Sequence, residues 1–287
     1  MKLFRRAWRV QVGSLDASTL ACKFKVQRTL AMGRAGHAEI VIYGLSPEHR
    51  REIISAPRRR TFVELHAGYQ DGQSLLFRGD LRKAVQARDG TEWSVTVTAG
   101  DGEHAIRNAR VSRSFAAGTT LATVVRAIAD AMGVGIGNAA EAFRGAGLGA
   151  VGDTFPEGTL AHGLAATELT RLCDSARLTW SVQDGNLQVL PLGGSLAREA
   201  IRLSADSGLL DAPEIVNRRT VNVKTLLIPG IVPGQQVVLD SAVISGVWRI
   251  SEAEYTGDTH GADWGASLVM HRPRPPLLGP VSQGGIG

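Results

Sequence analysis

Cys22-Lys23-Phe24-Lys25-Val26-Gln27 and Ala38-Glu39-Ile40-Val41-Ile42-Tyr43-Gly44-Leu45-Ser46-Pro47 are the stretches that decide the fold class. In the first, Cys22, Phe24 and Val26 alternate with Lys23, Lys25 and Gln27, and Ala38, Ile40 and Ile42 keep the same period in the second. A two-residue repeat sends one set of side chains into a core and the other into water, so both stretches read as half-buried strands. Gly44-Leu45-Ser46-Pro47 stops the second strand. Ser46 is a natural N-cap and Pro47 a natural first helical residue, so a short helix is expected from Pro47 to about Ile54, ended by Pro57.

The same alternation extends in both directions. Trp8, Val10 and Val12 alternate with Arg9 and Gln11, and further strands are expected over Phe62–Tyr69 and Leu75–Ala87. Asp89-Gly90 then turns the chain into Trp93, Val95 and Val97, a hairpin signal. After Phe115 the period changes. Leu121, Val124, Val125, Ile128 and Met132 recur at helical spacing, with Thr119 or Thr120 as the cap and Gly133 as the stop. Ala165, Leu169, Leu172, Cys173 and Ala176 form a second helical face, followed by a hairpin around Asp184-Gly185-Asn186. Strands return from about Ile201, with Val221–Ile228, Val237–Leu239, Val247–Ile250 and Ala266–Met270 as the runs. The expected fold class is β-rich α+β, with two tube-like antiparallel β-barrel domains separated by an α+β insert. The expected boundaries are 1–103 for the first barrel, 104–197 for the insert, 198–272 for the second barrel and 273–287 for a flexible Pro/Gly-rich tail. The Gly- and Ala-rich run from Arg144 to Gly152 is expected to be a mobile loop.

Composition agrees. The chain has 287 residues, of which 44% are hydrophobic, enough for a substantial core, and 21% charged residues do not suit a disordered chain. Thirty-four glycines against 5% aromatics favour many tight turns. A net charge of +5 is compatible with several kinds of partner and selects none. Cys22 and Cys173 are the only cysteines, too few for a disulfide framework or a paired metal motif, and both sit in apolar patterns. Met1–Arg9 lacks the apolar run of a signal peptide, and no stretch approaches the ~20 apolar residues of a spanning helix. The expectation is synthesis in a cytoplasm, without stable membrane insertion.

Catalytic motifs are absent from the sequence: no phosphate-binding loop, no His-Glu-x-x-His, no Cys-x-x-Cys pair and no Gly-x-Ser-x-Gly elbow. Gly135, Gly137 and Ala140 match a loose dinucleotide pattern, but a helix precedes them where that motif needs a strand, so they read as turn residues. Asp258, His260 and Asp263 could serve a hydrolase as base and partner; they read better as an inter-strand loop, because no nucleophile accompanies them. The remaining histidines form no ligand cluster, and no cofactor is expected. Arg50-Arg51 and Arg58-Arg59-Arg60 bracket the short helix and form a candidate basic rim for contact with an acidic neighbour or a passing nucleic-acid backbone.

The order of landmarks resembles the baseplate hub family of contractile-tailed phages, including Mu-like prophage tail proteins. The resemblance rests on Ala38–Ser46 leading into its helix, on Val63–Tyr69 followed by Leu76-Phe77-Arg78-Gly79, and on Asp101-Gly102. It continues through Gly118-Thr119-Thr120, Leu178–Leu187, Ser207–Pro213, Val223–Pro229, Pro233-Gly234 and Trp248-Arg249-Ile250, and ends at Gly257-Asp258-Thr259 and Asp263-Trp264. It implies a structural, non-enzymatic virion protein: a homotrimer whose two barrels per copy make a pseudo-sixfold collar. That collar would join a hexameric tail tube or distal tail protein to a trimeric central spike, with a tape-measure protein as a further neighbour. Genomic DNA would pass through its lumen without sequence-specific binding. The alternatives are a tail-associated cell-wall hydrolase and a peptidoglycan-binding module.

Overall fold

The computed structural model describes residues 5–58, 60–139 and 154–273; the Arg144–Gly152 run, Ala140, Arg59 and the tail from 274 lie outside the described residues. Strands β1 (Arg6–Val12), β2 (Leu15–Asp16), β3 (Cys22–Thr29) and β4 (Gly36–Tyr43) lead into helix α1 (Pro47–Ser55). Then come β5 (Phe62–Tyr69), β6 (Gly72–Asp89) and β7 (Glu92–Asp101). The middle of the chain holds α2 (Glu103–Asn108), β8 (Arg110–Phe115), β9 (Thr119–Thr120), α3 (Leu121–Met132), β10 (Thr154–Phe155) and β11 (Thr159–Leu164). It continues with α4 (Ala165–Ser175), β12 (Leu178–Gln183) and β13 (Asn186–Pro191). The last part holds β14 (Ile201–Leu203), β15 (Glu214–Asn217), β16 (Thr220–Leu226), β17 (Gln236–Leu239), β18 (Gly246–Asp258) and β19 (Trp264–His271).

Local signals act where the sequence puts them. Ser46 caps α1 by accepting from the His49 N–H, with Pro47 in the first turn. Thr120 caps α3 by accepting from the Thr123 N–H, and Gly133 ends that helix in the left-handed region at φ 69°. Burial alternates strictly along β3 and β4, so one face of each packs inward. The protein is mostly antiparallel sheet with a few helices, as expected.

The two terminal regions are not separate sheets. The central order is β15-β16-β19-β18-β3-β4-β7-β6-β5-β1-β2, with β17 and β14 branching from β18. The link is the antiparallel ladder between β18 and β3, from Asp258 opposite Lys23 to Glu252 opposite Thr29. One core runs through both regions: Val26, Ile40, Leu65 and Phe77 belong to the same cluster as Trp248, Ile250 and Tyr255. β18 is long enough to serve both sides. Its first residues pair with β17 and the remainder with β3, while β19 flanks its other edge. Alternation along β3 was legible, but only Val247–Ile250 of β18 read as a strand; its Glu252–Asp258 part, which pairs with β3 more than 200 positions away in sequence, did not.

The middle segment has its own core, in which Val125, Ile128, Leu169, Leu172 and Trp180 are buried together. α3 and α4 pack against each other, and β8 pairs with β11 beside them.

Candidate functional site

The outward face of the large sheet is mostly polar. Thr256, Lys25, Glu39, Thr98 and Lys83 stand opposite one another in turn across β18, β3, β4, β7 and β6. A parallel row runs Lys224, Ser267, Glu254, Gln27 and His37, from β16 to β4. All of these side chains are exposed or half-buried. Every described lysine, namely Lys23, Lys25, Lys83 and Lys224, lies on this face, although arginine supplies most of the positive charge of the chain. Carboxylates answer most of them: Lys23 Nζ is 3.2 Å from Asp258 Oδ2, Lys25 Nζ 3.0 Å from Glu254 Oε1 and Lys224 Nζ 3.7 Å from Asp211 Oδ2. A trough of about 660 Å³ crosses the face beside Gln27, His37, Glu214, Lys224 and Glu254. Such a face, with short hydroxyl side chains between paired charges, offers little apolar footing to a partner and little unbalanced field to an ion.

The basic rim is brought together in part. Arg50, Arg51 and Arg58 sit on α1 or just past its end, and Arg60 is exposed nearby. Their hydrogen bonds go largely to the helix itself. Arg58 donates to the carbonyls of Ala56 and Ile54, each at 3.0 Å, which satisfies the free end of α1 and complements its dipole. Arg51 Nε donates to Pro47 O at 3.2 Å and Arg50 Nη1 to Leu45 O at 2.8 Å. Arg50 and Arg88 both lie over the Trp93 ring, 4.6 and 5.5 Å from its centroid. Trp93 is an aromatic partner the linear sequence did not attach to the rim, because it comes from the β7 side of a hairpin.

The Asp258–Asp263 loop is a structural turn. Asp258 Oδ1 accepts from the N–H groups of His260 and Gly261 at 3.0 and 2.8 Å, and Oδ2 faces Lys23. Desolvation pushes this carboxyl up, but those amide bonds and Lys23 outweigh it and hold it below the usual carboxylate range. A carboxylate so engaged is a poor general base. Arg6 ties the loop down through the carbonyls of Asp258, Gly261 and Ala262, and stacks 5.3 Å over Trp264. His260 Nδ1 meets the Thr259 hydroxyl at 3.0 Å.

Gly135 and Gly137 support hairpin docking. The Gly135 N–H donates to Gly185 O and its carbonyl accepts from the Leu187 N–H, while a Cβ at Gly137 would press on Leu187 O. Cys22 and Cys173 are free, buried thiols, pushed up to about 12 by burial. Among the described residues no cluster of His, Cys, Asp and Glu is arranged to hold a metal, and no helix is long and apolar enough to cross a membrane.

A buried polar junction joins the middle segment to the sheet. Arg28, 4% exposed, donates to Asp184 Oδ2 at 2.7 Å, Gln183 Oε1 at 3.0 Å and Leu76 O at 3.1 Å. Asp101, at the end of β7, accepts from the N–H groups of Asp184 and Gly185 at 2.5 and 2.8 Å. Burial raises the Asp101 carboxyl to about 6; the Asp184 charge adds to this, and the Gly185 N–H, Arg28 and the Asp184 N–H oppose it. Gln183 Nε2 completes the clamp on Thr29 O at 2.8 Å. A signal for the junction was present in the sequence: Arg28 continues the inward series Cys22, Phe24, Val26, where an arginine needs a buried partner.

No protein-family model matches the chain, and no curated protein does. Solved structures do. A tail protein from Neisseria meningitidis MC58 aligns with a TM-score of 0.63 at 10% identity, over 93% of this chain and 97% of its own. The 43 kDa tail protein of prophage MuSo2 from Shewanella oneidensis aligns at 0.62 and 12% identity, over 93% and 98%. An E. coli component of the type VI secretion system, structurally similar to the T4 bacteriophage tail proteins gp27 and gp5, aligns at 0.56 and 8% identity, over 92% and 76%. The chain therefore has the fold of phage tail proteins, along nearly the whole length of the first two.

Proposed function

We propose that this chain is the structural baseplate hub of a phage tail, a homotrimeric adaptor between a hexameric tail tube or distal tail protein and a trimeric central spike. The observation that carries the reading is the fold shared with tail proteins over 93% of the chain. Each copy contributes two lobes fused strand to strand at β3 and β18, so three copies supply six lobes around one axis. The polar, charge-paired outward face suits a lumen through which genomic DNA passes without being held, since unpaired basic charge would bind phosphates. Residues 104–197 form the insert in this reading, and the α1 rim with Arg50, Arg51, Arg58 and Arg60 is a contact surface for a tail neighbour. The site of action is the virion, with a tape-measure protein as a further neighbour.

Light scattering on the purified full-length chain tests this. The expected mass is three times 30.5 kDa. A monomer at every concentration up to the solubility limit overturns the proposal.

A further inference from the structure

The junction between the middle segment and the sheet holds two carboxylates for one cation. Arg28 Nη2 engages Asp184 Oδ2 at 2.7 Å, while Asp101 accepts from the backbone amides of Asp184 and Gly185. With both aspartates ionised the group bears one net negative charge, in a site where Arg28 is 4% and Asp101 3% exposed. A net charge is costly to bury, and one added proton cancels it. A carboxylate oxygen able to share that proton is present: Asp184 Oδ1 is buried and receives no hydrogen bond among the described residues. A neutral carboxyl both donates and accepts, so Asp101 can keep an amide bond while offering its O–H to a carboxylate.

The position of Asp101 matters as much as its charge. It closes β7, and Gly102 turns the chain into α2 at a left-handed φ of 69°, so Asp101 stands at the covalent entry to the middle segment. The same carboxyl holds the tip of that segment's hairpin, Asp184-Gly185. The base of the hairpin is held by apolar contact instead, Leu30 with Leu190 and Leu196, and Met32 and Ala35 pack against the segment's own core. A cleft of about 780 Å³ runs beside the tip, lined by Arg28, Gln183, Asp184, Leu196 and Val232 among others. The remaining ionisable groups around Asp101 come from four elements. Tyr255 on β18 is buried, donates to Ile231 O and is pushed up to about 12 by burial. Arg82 on β6 pairs with Glu103 on α2. Asp80 on β6 and His37 on β4 stand opposite Gly100, the residue before Asp101.

We infer that Asp101, Asp184 and Arg28 form a proton-operated latch: one proton held by the two aspartates clamps the hairpin tip to the end of β7, and its loss to water lets the tip part from the sheet while the hairpin base stays docked. The sign follows from burial. Asp101 titrates at about 6 in the closed junction, above the ordinary value of 3.8 that a hydrated, open tip restores. The closed form is therefore favoured in full below about pH 4 and loses that advantage as pH rises through about 6. The latch belongs to the single chain and is independent of the ring proposed above.

Hydrogen exchange on the full-length chain, read by mass spectrometry and corrected for the pH dependence of unprotected amides, tests the latch. Protection of the tip, residues 183–186, should fall roughly tenfold or more between about pH 4.5 and 7.5, because opening gains about a factor of ten for each pH interval between the two titration points. Protection within α3 and α4 should hold steady. Asp101→Asn keeps an oxygen that accepts from an amide but cannot titrate, so its tip should be equally protected at both pH values. The comparison in the natural chain stands even if that variant fails to fold. A tip equally protected at both pH values in the natural chain overturns the latch. So does a fall shared equally by α3 and α4, or one that persists in Asp101→Asn.

Discussion

The molecule contains two joints of opposite chemistry. Where β18 meets β3, the link is a ladder of backbone hydrogen bonds over an apolar face, with Tyr255 opposite Val26 and the Phe24 ring lying across Gly257. Phe24 also meets Trp264 edge-on at 5.5 Å. Where the middle segment meets the sheet, the link centres on one buried arginine, two aspartates and a glutamine around the tip of the β12–β13 hairpin, beside a small apolar contact of Leu30 with Leu190. The first joint is spread over many small contributions, each buried aliphatic side chain contributing about 1.5–3 kcal/mol. The second concentrates its stability in a few groups whose desolvation must be offset by close geometry. A distributed joint tolerates single losses and suits a wall. A concentrated one responds sharply to a single charge.

That contrast can be broken most directly at Arg28. Arg28→Ala leaves the buried Asp101 and the half-buried Asp184 without their cation, and the expected cost is about 3–5 kcal/mol in a denaturant titration. A loss below about 1 kcal/mol would mean that the junction is not the concentrated element described here. Proton linkage sharpens the same contrast. Because the Asp101 carboxyl is raised to about 6 in the fold, its protonated form stabilises the protein fully below the ordinary aspartate range, near 4. That contribution is lost as pH rises through about 6. Its size is at most about 3 kcal/mol. Stability curves for the natural chain and Asp101→Asn should therefore differ in slope between pH 4 and 7; parallel curves would remove Asp101 from the account. The smallest effect belongs to the distributed joint. Gly257→Ala places a Cβ against the Phe24 ring and should cost about 1–3 kcal/mol by calorimetry, as overpacking does, with the middle segment unaffected.

Legibility followed the range of the interactions. Ser46-Pro47, Thr120 with Gly133, and Asp184-Gly185 act within a few residues, so caps and turns were readable one by one. Alternation in β3 and β4 fixed which side chains go inward. The rim arginines were visible as a run, yet most of their hydrogen bonds go to helix carbonyls, and Trp93 reaches Arg50 only through hairpin folding. The Asp258 loop read as a turn, and its amide bonds make it one.

By itself, then, the sequence determined the class of the fold: period-two hydrophobicity at both ends, period 3.6 in the middle, and glycine, proline and aspartate at the breaks. Those features depend on contacts between near neighbours, which any short stretch carries with it. Only the tertiary structure decided that β18 lies against β3 and that Arg28 finds Asp184 across 156 positions. Such pairings are chosen by closure of the whole sheet. Many strands have the right alternation to be neighbours, and only the folded chain selects which edges meet and which stay open.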